Sequence, residues 1–132
     1  MVQFYEDEPF LAGAVAEFLG AGLAAAQPLL VVATRSHRKA FAKELTTRGF
    51  DVTRAEHSGQ LTWLDAHDTL AAFMDGASPD AVRFRSVIGG AMMRARHGRD
   101  DTVVRAFGEM VNLLWADGNT DGAVRLEQLW ND

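Results

Sequence analysis

Cysteine is absent from the chain, which removes a disulfide scaffold, a thiolate nucleophile, a Cys-ligated zinc and an iron–sulfur cluster together. Redox chemistry therefore leaves the compartment open. Positive charge is scarce: 13 Lys and Arg face 18 Asp and Glu, and the net charge of -5 has the wrong sign for collecting nucleic acid or anionic lipid. A membrane-length apolar run is also missing. The nearest candidate, Leu11 to Ala26, carries Glu17, stops before Pro28, and is shorter than the roughly 20 residues that span a bilayer. Met1 leads into an alternating stretch and an acidic turn rather than a basic segment and an apolar run, so a cytoplasmic protein is expected. What the chain has is apolar material: 48% hydrophobic against 23% charged residues, enough for a packed interior. With 132 residues against a prior of about 150 per domain, residues 1–132 form one domain.

Hydrophobic patterning alternates between strand and helix. Val2 to Glu6 reads as a strand, and Asp7-Glu8-Pro9 as a helix start with Pro in the first turn. Leu11, Val15, Phe18, Leu19 and Leu23 recur at helical steps, while Gly13, Gly20 and Gly22 keep that helix thin. Leu29-Leu30-Val31-Val32-Ala33 is continuously apolar, as a parallel strand covered on both faces must be. Ser36 reads as the cap of a helix ending near Gly49, and Phe50 to Ala55 and Leu61 to Leu64 as strands. Asp65 caps a short helix, Gly76 to Pro79 is a loop, and a helix from Asp80 ends at His97-Gly98. Thr102 to Phe107 is the last strand, followed by helices over Met110–Trp115 and around Ala123–Trp130. This order predicts an α/β three-layer sandwich with a mainly parallel sheet.

In open α/β sheets the ligand crevice lies beyond the carboxyl ends of the strands. Tyr5, Glu6, His37, Asp65 and Glu109 each lie at or just beyond such an end and form the candidate ligand site; the alternative for Glu109 is that it caps its own helix. A phosphate loop would need glycines and a Lys followed by Ser or Thr. The first turn is instead Tyr5-Glu6-Asp7-Glu8-Pro9, and neither Lys39 nor Lys43 follows a glycine. His37, His57, His67 and His97 lack metal-ligand spacing, and no Ser–His–acid set is anchored by a motif. The expectation is no catalysis, no metal and no cofactor. Arg83, Arg85, Arg94, Arg96 and Arg99 flank an apolar stripe without interleaved aromatics, which disfavours nucleic acid. Trp115, Leu126, Leu129 and Trp130 offer more apolar surface than a short terminal element needs and are the candidate interface of a homodimer or partner.

The runs Val2-Gln3-Phe4-Tyr5-Glu6, Val32-Ala33-Thr34 with His37, Leu64-Asp65-Ala66 with Thr69-Leu70, Arg105-Ala106-Phe107-Gly108-Glu109-Met110-Val111 and Leu126-Glu127-Gln128-Leu129-Trp130-Asn131 together resemble the MEDS family, the methanogen/methylotroph sensory domain of the DcmR type. The Phe-Gly-Glu-Met block followed by Leu-Leu-Trp is the most specific element. The resemblance implies RecA-like topology without a Walker A loop. It also implies a non-catalytic sensory input module of a bacterial or archaeal signal-transduction protein. Such a module would bind a small organic ligand, a hydrocarbon derivative or one-carbon compound, and bias a histidine kinase or transcriptional output. The alternative is an interaction or dimerisation module without a physiological ligand. Family members usually continue past the last helix into another short strand. A chain stopping at Asp132 is then either a piece of a larger signalling protein or a trimmed domain, with apolar surface open to a partner.

Overall fold

A computed structural model of the chain describes residues 8–97 and 102–131, with side chains from Leu11 onward. The expected strand over Val2 to Glu6, with Tyr5 and Glu6, lies outside the described residues. Helix α1 (Glu8–Ala24) leads into β1 (Leu29–Ala33), α2 (Arg35–Thr47), α3 (Val52–His57), β2 (Leu61–Asp65) and α4 (Ala66–Phe73). A two-residue hairpin pairs β3 (Met74–Asp75) with β4 (Ser78–Pro79), and α5 (Ala81–Arg96), β5 (Arg105–Gly108), α6 (Met110–Ala116) and α7 (Thr120–Trp130) complete the order.

Among the described residues the main sheet has three parallel strands in the order β2-β1-β5. All five residues of β1 are buried, because helices cover both of its faces. Side chains alternate across a strand, and the two cores divide accordingly. Leu29, Val31, Ala33 and Phe107 join α1, α2 and α3 on one side; Leu30 and Val32 join α4, α5, α6 and α7 on the other. The α/β character and the parallel sheet between helical layers agree with the sequence reading.

Three local expectations are corrected. Residues 52–57 are helix α3 and not a strand: the Asp51 side chain accepts the Arg54 N–H at 3.0 Å, and Val52 and Ala55, three apart, turn inward. A local cap outweighs the β-branched content of that segment. The Gly76–Pro79 loop is the turn and second arm of the small hairpin, with Gly76 at φ +63°. The cap of α2 is Thr34 rather than Ser36; its hydroxyl accepts the His37 N–H at 3.4 Å.

Candidate functional site

The carboxyl ends of β1, β2 and β5 lie side by side because the strands are parallel and in register, Val32 opposite both Leu64 and Gly108. Glu109 is the first residue beyond β5, and its backbone N–H still donates to Val32 O at 3.1 Å, extending the ladder by one step. It occupies the N-cap position of α6 but makes no side-chain cap there. Its carboxylate crosses to the next strand end instead: Oε1 accepts the Thr34 N–H at 2.7 Å, and Oε2 lies 2.7 Å from His37 Nδ1. The capping alternative for Glu109 is thereby set aside.

This carboxylate is 3% exposed, and a buried acid persists only where hydrogen bonds or an opposite charge compensate its lost hydration. A carboxylate in its ionised form only accepts, and in that form it accepts a hydrogen bond from His37 Nδ1. The His37 ring stacks on Phe41 at 5.8 Å between centroids, and Phe41 meets Phe107 edge-on at 5.6 Å. The site is thus continuous with the α1–α3 core.

Asp65, last residue of β2, has two tasks. One oxygen accepts the Asp68 N–H at 2.9 Å and caps α4; the other accepts from Arg38 Nη2 at 3.0 Å. The Arg38 Nε–H is buried and makes no hydrogen bond among the described residues. Beside this pair a cavity of about 460 Å³ is lined by Thr34, Arg35, Ser36, Lys39, Asp65 and His67. Among the described residues there is no cluster of three metal-ligating side chains.

His37, Asp65 and Glu109 therefore meet at one end of the sheet, and Tyr5 and Glu6 lie outside the described residues. Arg38 was not a sequence candidate: its partner is 27 positions away, beyond any local period. Thr34 carried a faint signal as a Thr between an apolar strand and a helix.

Compared with known families, residues 1–132 match the model described as MEDS, methanogen/methylotroph, DcmR sensory domain. The chain belongs to the MEDS family. Neither the curated proteins nor the solved structures give a match.

The interface candidates of this MEDS domain are placed differently from one another. Leu126 and Leu129 are buried inside the domain, and Trp130 lies over Gly108 with its ring edge-on to Phe84 at 6.3 Å between centroids. Their apolar area is spent on this domain's own sheet, since α7 supplies the cover that β5 needs. Trp115 is 40% exposed. No helix among the described residues is long and apolar enough to cross a membrane.

Proposed function

We propose that this MEDS domain is a non-catalytic sensory input module on a RecA-like scaffold without a Walker A loop. It binds a small organic ligand at the carboxyl ends of the strands and biases a histidine kinase or a transcriptional output. One observation carries the reading: the buried Glu109 carboxylate is committed to Thr34 and His37 across the strand ends, so that a ligand engaging either partner changes how β5 and α2 are tied together. The buried Arg38 Nε–H adds a donor suited to an acceptor atom, because buried polar groups ordinarily find a partner. Family membership supports the sensory role.

A ligand that binds only the folded state raises its melting temperature by mass action. Purified protein titrated with one- to four-carbon alcohols, aldehydes and carboxylic acids should show a concentration-dependent rise for at least one of them, and Glu109→Gln should abolish that rise. Equal shifts in both proteins would overturn the site. The second reading, an interaction module without a ligand, rests on exposed Trp115. It calls for a mass that rises with concentration in light scattering and falls on Trp115→Ala.

A further inference from the structure

On the other face of the sheet, α5 and α7 leave a groove over β5. The cavity measures about 460 Å³ and is lined by Phe84, Ile88 and Met92 from α5, Val104 just before β5 and Ala106 within it, and Trp130 from α7. Its volume lies within the roughly 300–1,000 Å³ of small-molecule sites, and its lining is apolar as in such sites. Ala106 makes a shallow floor, and Met92 supplies an adaptable wall.

Two further residues on α5 shape the groove. Gly89 lines it in the middle of a 16-residue helix, where glycine is less stable than alanine. No positive φ requires it, and a Cβ there would meet nothing within 4 Å. Neither backbone conformation nor close packing explains this glycine; its effect is to keep the wall recessed. Arg85, one turn earlier, stands exposed at the mouth without a hydrogen bond or ion pair among the described residues. Of the four arginines of α5, Arg83, Arg85, Arg94 and Arg96, Arg85 is the one that lines the groove, and it places a positive charge at the mouth.

From these features we propose that the groove binds an amphiphilic carboxylate of medium chain length, with the carboxylate on Arg85 and the alkyl chain along Phe84, Ile88 and Met92. From position 84 to 92 the helix rises about 12 Å, the length of an extended chain of about nine or ten carbons. The guanidinium suits a carboxylate through charge-assisted hydrogen bonds. This site stands apart from the strand-end crevice and does not depend on it.

Calorimetry with decanoate, and decanol as the neutral probe, tests the assignment on the full chain. Decanoate should bind one to one and shift the Trp130 indole resonance. Arg85→Gln should weaken decanoate about tenfold while leaving decanol unchanged, and Gly89→Leu should abolish binding of both. Circular dichroism verifies that Gly89→Leu is folded; Ala106→Leu, filling the groove from the floor, replaces it if it is not. Absence of decanoate binding, binding undiminished in the filled variant, or equal loss of decanoate and decanol in Arg85→Gln would each overturn the proposal. So would a mass that rises with protein concentration and falls on filling, which would assign the groove to a second copy of this chain.

Discussion

Glu109 shows how little of a residue's task is written beside it. A carboxylate at the start of a helix suggests a cap, since it satisfies orphan N–H groups and the helix dipole. Here the carboxylate serves a different element, across 75 positions to Thr34. Glu109→Gln keeps the shape but replaces one acceptor oxygen by an N–H2 group facing either Thr34 N–H or His37. The expected loss is about 1–3 kcal/mol, read as a lower urea midpoint at unchanged m-value. Asp65 and Asp80 offer an internal comparison, because both cap helices, through Asp68 N–H and Arg83 N–H. Asp80→Ala should cost about 1 kcal/mol, the usual value of a cap. Asp65→Ala should cost more, because it also removes the partner of a half-buried Arg38, and the double variant with Arg38→Ala should recover part of the difference.

Elements follow their local signals wherever the pattern is long. The five-residue apolar run of β1 and the stripe of Phe84, Ile88, Ala91 and Ala95 on α5 fold as their periods require. Residues 50–57 mislead because Val and Thr favour strands while Asp51 favours a helix start, and over six residues one cap decides. Gly108 and Gly89 look alike in sequence but differ in place. A Cβ at Gly108 would lie 2.8 Å from the Trp130 ring, whereas at Gly89 it meets open space. Gly108→Ala should therefore destabilise by about 1–3 kcal/mol through overpacking, and Gly89→Ala should stabilise by about 0.5–1 kcal/mol through helix propensity. Thermal unfolding of the two variants should move in opposite directions. Trp130→Ala should lower stability without changing mass, because the indole packs on Gly108 and beside Phe84.

For the molecule as a whole, two apolar cores share one sheet, and the parallel register brings all three strand ends to one side. That arrangement brings Glu109, His37 and Asp65 to the strand ends, the side on which open α/β sheets as a class bind their ligands. With no Gly-Lys-Ser/Thr sequence following a strand, the purified protein should show no magnesium-dependent ATP turnover; turnover lost on Glu109→Gln would overturn the non-catalytic reading. The amino-acid sequence by itself determined the α/β class, the buried central strand and the family, because apolar period and motif order are local properties of the chain. It also brought His37, Asp65 and Glu109 under one rule, since each lies at or just beyond a strand end. Only the tertiary structure decided that Glu109 holds Thr34 and His37 instead of capping α6, that Arg38 pairs with Asp65, and that Leu126 and Leu129 face inward. Each of these depends on side chains meeting across 27 or more positions or on which face of a helix the sheet covers. No local period encodes that distance; it is set by the order β2-β1-β5 in which the strands pair.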